Sequence, residues 1–152
     1  MTLSLPLGSL ISFQNTAVTP AVWQPLSEHN RASATLDIQR IEKAQRMSNG
    51  TLRKIFIADK QTLSVSWMAL PSDSKMTVDG KWGAMDIKTF YETLGQGAVD
   101  VKISPNGTVA REKTISMSFV SASFVMTKRN LKMNGETVPQ EFWDVSISLE
   151  EV

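Results

Sequence analysis

The sequence predicts a mostly β, α+β protein: an antiparallel two-sheet sandwich or small barrel carrying one flanking helix. Three observations lead there. Apolar and polar residues alternate with period two around Val65, Val101, Met117 and Ile147. Only residues 86–94, from Asp86 to Leu94, combine a helical period with marked ends. Asn49-Gly50 and Asn106-Gly107 punctuate the strands as turns.

The helix is the best-defined element. Asp86 is placed to cap its first turn, and Gly95 follows the last apolar position, where a left-handed residue ends a helix. Ile87, Phe90, Tyr91 and Leu94 fall at i, i+3, i+4 and i+7, one apolar stripe, while Lys88, Glu92 and Thr93 face away. Ahead of it, Asp79-Gly80-Lys81-Trp82-Gly83 reads as a turn around a large aromatic. The helix is expected to lie as a lid, with Ile87, Phe90 and Leu94 against a sheet face bearing Val65, Trp67, Val145 and Ile147.

The strands follow in chain order. Residues 1–35 hold no sustained period, carry Pro6, Pro20 and Pro25, and scatter Leu10, Ile11, Phe13, Val18, Val22, Trp23 and Leu26 between them. They read either as a terminal strand and loop of the same domain or as an extended arm that hides Trp23 on a neighbouring subunit. The expected division is therefore an N-terminal arm or extended segment, 1–35, and a single β-rich domain, 36–152. Leu36 to Met47 reads as a strand running into a charged loop. Residues 52–57 and 62–67 read as a hairpin joined by Ala58-Asp59-Lys60-Gln61. After the helix come residues 99–104, then 115–126, then 143–149. In the second of these the apolar parity flips, which predicts a β-bulge near Phe119-Val120.

Length and charge bound the function. A chain of 152 residues suits one domain with a real core. Its net charge of +1 gives no electrostatic reason to expect nucleic acid or an anionic membrane as partner. There is no cysteine, which removes disulfides, thiolate metal sites and Cys nucleophiles. Residues 1–13 lack a basic residue and are interrupted by Pro6 and Gly8, a poor secretory signal. No apolar run reaches the roughly 18 residues of a membrane span. The expectation is a protein made soluble in the cytoplasm.

Catalytic chemistry is thin. His29 is the only histidine and sits in the irregular N-terminal stretch, so a surface role outweighs that of a catalytic base. One histidine and scattered carboxylates make no metal-ligand spacing. The glycines form neither phosphate-loop pattern. Glu150 and Glu151 are adjacent and point to opposite faces of a strand, so they are no acid/base pair. Arg53-Lys54 and Lys128-Arg129 are short basic patches that read as solvated hairpin edges. No catalytic, cofactor or metal-binding residue is predicted.

One surface is unusual. The polar parity of three strands is small and hydroxylated: Ser64 and Ser66, Ser116 and Ser118, Ser146 and Ser148, with Ser121 and Ser123 beyond the bulge. Serine is a poor strand former on its own. Chance is one account; the other is a face needing close approach, a subunit contact or the wall of a wide channel.

Several segments carry a resemblance. Asn49-Gly50-Thr51-Leu52-Arg53, Ala58-Asp59-Lys60, Leu63-Ser64-Val65-Ser66-Trp67 and Leu70-Pro71 are similar to structural or minor tail proteins of long-tailed bacteriophages. So are Thr77-Val78-Asp79-Gly80-Lys81-Trp82-Gly83, Asp86-Ile87-Lys88-Thr89-Phe90-Tyr91 and the run from Trp143 to Val152. The order of elements also resembles the tail-tube fold, two sheets and a flanking helix forming a subunit of a sixfold ring. The resemblance implies a virion protein whose partners are itself and other tail proteins, enclosing a passage through which DNA runs without specific binding. Trp23, Ser64, Ser66, Ser116, Ser118, Ser146 and Ser148 are then the candidate interface or channel-wall residues. The alternatives are a minor tail or baseplate adaptor, and a monomeric β-rich module that binds a host surface or carbohydrate through Trp23, Trp67, Trp82 or Trp143. A small hydrolase ranks last.

Overall fold

The structure is a computed structural model and describes residues 2–15, 22–74, 77–95, 97–131 and 140–152. Strands β1 (Thr2–Leu5), β2 (Leu10–Asn15), β3 (Val22–Pro25), β4 (Ala34–Arg46) and β5 (Leu52–Pro71) precede helix α1 (Ala84–Leu94). Strands β6 (Val99–Ser104), β7 (Lys113–Leu131) and β8 (Gln140–Glu151) follow it. The protein is mostly β with one α-helix, as the alternation predicts. Its pairing, however, describes one antiparallel sheet and not two, in the order β1-β4-β5-β8-β7-β6-β2-β3.

That sheet is curled. β1 and β2 stand first and seventh in the order, yet only residues 6–9 join them. In a flat sheet, six spacings of about 4.8 Å would separate them by roughly 29 Å. Five extended Cα steps reach only about 17 Å. One apolar face is thereby turned inward, and Leu5, Phe13, Leu36, Leu63, Val65, Trp67, Val101, Met117, Val145, Ile147 and Leu149 fill it as a continuous core.

The stretch 1–35, expected either as a terminal strand and loop of the same domain or as an extended arm, contributes β1, β2 and β3 to this sheet and the start of β4. Leu5, Ile11, Phe13 and Leu26 are buried in the shared core. Short strands broken by Pro6 and Pro25 present too few residues each for a period to be read.

The hairpin is misplaced in the sequence reading. Residues 58–61 form no turn; β5 runs through them from Leu52 to Pro71. The turn lies at Asn49-Gly50 between β4 and β5, where Gly50 takes φ 87° and Met47 donates its N–H to Thr51 at 2.8 Å. The four residues stay in the strand because β4 is there to meet them, Asp59 pairing with the Arg40 guanidinium at 3.0 Å. A bulge opposite Ile41/Glu42 absorbs the change of parity between residues 52–56 and 58–67.

β4 likewise stays a strand to Arg46, through residues expected as a charged loop. β7 shifts register between Phe119 and Ser121, the bulge that the phase flip predicts. The helix begins two residues earlier than expected, at Ala84, with Gly83 as its N-cap. Asp86 sits at the third helical position and accepts the Gly83 N–H at 3.0 Å, so it closes the first turn from inside. Ile87 is buried; Phe90 lies 5.6 Å from Phe13 and 5.4 Å from Trp82, and Tyr91 meets Phe119 edge-on at 5.2 Å. The stripe does pack on the sheet, though Phe90 reaches β2 and Tyr91 reaches β7.

Candidate functional site

Register brings the predicted serines together. On the outer parity of the central strands, Ser64 of β5 pairs with Ser148 of β8, which pairs with Ser121 of β7. The next row is Ser66, Ser146 and Ser123. Ser118 lies opposite Glu150, and Ser116 opposite Asp100 of β6. Because polar residues alternate with core residues along each strand, all of these share the face away from the core. Six hydroxyls from three strands thus make a low, even patch whose side chains are exposed or half-exposed.

Trp23 lies apart from that patch. It sits on the edge strand β3, half-buried, with the Lys102 ammonium 4.6 Å from its ring centre. The indole lines a cleft of about 290 Å³ together with Leu10, Ser12, Pro25, Lys81, Lys102, Ser104 and Glu112. Of the other tryptophans, Trp67 is fully buried and donates its indole N–H to the Ser27 carbonyl at 2.7 Å. Trp82 packs on Phe90, and Trp143 donates to Glu141 at 3.2 Å. Core packing, expected for Trp67 and Trp143, occupies three of the four.

His29 belongs to a polar latch. Its backbone N–H donates to Ser27 Oγ at 3.0 Å, and its Nδ1 accepts the Val78 N–H at 3.2 Å. Ser27 Oγ donates in turn to Asp79 at 3.0 Å, and Asp79 also accepts the N–H groups of Glu28 and Lys81. The side chains of serine, histidine and aspartate are near one another, but their hydrogen bonds run Ser27 to Asp79 and Val78 to His29, which is not the relay a nucleophilic serine uses. Burial pushes the Asp79 pKa up, and the three hydrogen bonds and the Lys81 charge outweigh it, leaving the group below its ordinary value. Arg31, whose side chain is fully buried, donates through Nη2 to the carbonyls of Pro6 and Ser9 and lies 3.7 Å from Glu28. Burial lowers its pKa, opposed by Glu28 and Asp79. The latch ties residues 6–9, 27–31 and 77–81 into one unit. Among the described residues no group of three or more histidines, cysteines and acids could hold a metal.

The feature that sequence reasoning missed is a projecting two-stranded arm. β8 ends its pairing with β5 at Thr62, and β1 ends its pairing with β4 at Asp37. Beyond those points, residues 39–60 pair only with each other. Ile41, Met47, Leu52, Ile55, Phe56 and Ile57 on this arm are all 44 % exposed or more. Its two faces differ. On one, Arg40 pairs with Asp59 and lies 5.4 Å over Phe56, Lys54 pairs with Glu42 at 3.5 Å, and Arg46 donates to the Gly50 carbonyl. The other carries Gln39, Ile41, Lys43 and Gln45 opposite Lys60, Ala58, Ile55 and Arg53, with no carboxylate. Near the tip a hollow of about 480 Å³ is lined by Lys43, Gln45, Met47, Arg53, Lys54 and Ile55. The clue in the sequence is uneven charge. Residues 39–60 hold six basic and two acidic residues, and the rest of the chain ten and thirteen, so a net +1 conceals an arm of +4 on a body of −3.

Compared with known proteins, the chain matches no family model and none of the curated proteins. No helix among the described residues is long and apolar enough to cross a membrane.

Proposed function

We propose that this protein is a structural subunit of a bacteriophage tail, which assembles with copies of itself into a ring or tube around the DNA passage. The observation that carries the reading is the pair of unsatisfied strand edges. Among the described residues, β4 has no strand on its outer side from Gln39 to Arg46, and β7 has none on its outer side from Ser118 onward. Long edges left open invite pairing with another chain. Because the two edges belong to different strands, joining one to the other between copies is a head-to-tail contact. Such contacts close into a ring or propagate as a filament.

Other features agree with this reading. A curled sheet with a helix against it suits the sandwich or small barrel of a tail-tube-like subunit. The even serine patch suits a lumen wall or a close contact, and it offers DNA no charge to bind. The virion would then be its place of work, with other tail proteins as neighbours. A second reading, a host- or carbohydrate-binding module, draws on the open cleft at Trp23, where an indole and two lysines face solvent.

Negative-stain imaging and light scattering of the full chain test the proposal. Closed rings or stacked tubes, sixfold, are expected at high concentration or once partner tail proteins are added. A chain that stays monomeric alone and adds singly to a tail complex is an adaptor, and the ring reading then falls.

A further inference from the structure

The arm of residues 39–60 bears on which surface brings copies together. A two-stranded ribbon with apolar side chains exposed on both faces is marginal in water by itself, so this one is built to be covered. We propose that the carboxylate-free face of the arm, where Ile41 and Ile55 flank Lys43 and Arg53 follows beside Ile55, docks on the acidic body of a second copy of this chain. The inference rests on the assembly reading only in naming a second copy as the occupant.

Charge decides the occupant and the geometry. The arm carries +4 and the body −3, so arm against body is attractive and arm against arm is repulsive. A contact of arm on arm would bring like charges together, and that excludes a dimer joined through its arms alone. What remains is arm on body, either reciprocal in a closed pair or repeated from copy to copy. On the opposite face Arg40 and Lys54 are already neutralised within the chain by Asp59 and Glu42. Lys43 and Arg53 have no such acid on their face, so their charge is directed outward. Nucleic acid fits less well, because exposed isoleucines interleaved with two cations match the mixed core and rim of a protein contact more than a phosphate track.

The test is sedimentation of the full chain at about 50 mM and about 500 mM salt, since screening shortens with salt. The wild type is expected to associate at low salt and to weaken about tenfold or more at high salt. Lys43→Glu with Arg53→Glu should abolish association at low salt. Arg46→Gln, on the other face, should associate as wild type does. Circular dichroism checks that the double variant folds; if it does not, Lys43→Ser with Arg53→Ser replaces it, expected to weaken association about tenfold. Since the chain has no cysteine, Ser48→Cys reports on arm tips alone, and no disulfide dimer should form on oxidation.

Equal association of the double variant and the wild type overturns the proposal, as does ready disulfide dimerisation through Ser48→Cys. So does a wild type that stays monomeric throughout, or one that shifts only when duplex DNA is added. The two readings separate cleanly. Rings formed equally well by the double variant would sink the arm and keep the ring. Salt-sensitive association lost in that variant, with no closed ring in images, would keep the arm and sink the ring.

Discussion

Trp67 and Ser27 are joined by a 2.7 Å hydrogen bond from the indole N–H to the backbone carbonyl, and both partners are buried. The bond fixes the loop after β3 to the C-terminal part of β5. The same serine gives its hydroxyl to Asp79, so one residue ties the core tryptophan to the turn before α1.

Trp67→Phe should keep most of the apolar volume and orphan the Ser27 carbonyl. An unsatisfied buried acceptor costs about 1–3 kcal/mol, and the lost ring volume adds to it. Denaturant melts of the two proteins check this. No measurable loss would mean that the latch bears no load.

Asp79 gives a pH dependence whose sign is fixed. Its pKa is lower in the folded chain than the ordinary 3.8, so its contribution is present above that value and is lost as pH falls through the folded one. Asp79→Asn should therefore lower stability at neutral pH and flatten the acid limb of the stability curve. Asp86 runs the other way. Burial, with Asp73 adding to it and the Gly83 N–H opposing, raises its pKa, so stability gains as pH falls from the raised value toward the ordinary one. Thermal melts from pH 7 to about pH 2.5 on wild type and both Asn variants separate the two. Parallel acid limbs in wild type and Asp79→Asn would rule out the assignment.

Gly83 marks where α1 is pressed against the end of β5. A methyl group there would come within 2.5 Å of the Pro71 carbonyl oxygen, although the backbone angles suit any residue. Gly83→Ala should cost about 1–3 kcal/mol by overpacking. Gly97→Ala should cost less, because a methyl group there would lie 3.3 Å from the nearest atom, the Leu94 carbonyl oxygen. If both changes cost the same in urea melts, the close approach is not what holds the helix start.

Phe90 touches Phe13 and Trp82 from the half-buried side of the helix. Phe90→Ala should cost about 3 kcal/mol, the low end for an aromatic deletion. A loss under about 1 kcal/mol, the size of a surface change, would make the helix peripheral to the core.

The strands that face the core on one side and solvent on the other could be read directly, because period two survives along Leu63 to Trp67 and Trp143 to Leu149. The bulge at Phe119-Val120 was legible for the same reason. Two things were hidden. Ala58-Asp59-Lys60-Gln61 looks like a turn by composition, and only the partner strand with Arg40 keeps it extended. The arm was hidden because Leu52, Ile55, Phe56 and Ile57 are as apolar as core residues, and burial depends on how far β8 and β1 reach, which no local pattern records. The serine rows needed register, and a two-residue period fixes the face of a side chain but not its neighbour across the strand.

The position of β8 has a consequence for how the chain becomes a protein. It lies between β5 and β7, and so is the seam between β1-β4-β5 on one side and β7-β6-β2-β3 on the other. Yet it follows every other strand in the sequence. Each half can zip locally, but β5 and β7 have no strand to join them until residues 140–151 have been synthesised, and those residues must then enter between two strands already made. Bringing partners so far apart in sequence together is slow. Through that interval the inner faces of Val65 and Met117 stand open to water, and a chaperone, or a neighbouring nascent chain, would find them there.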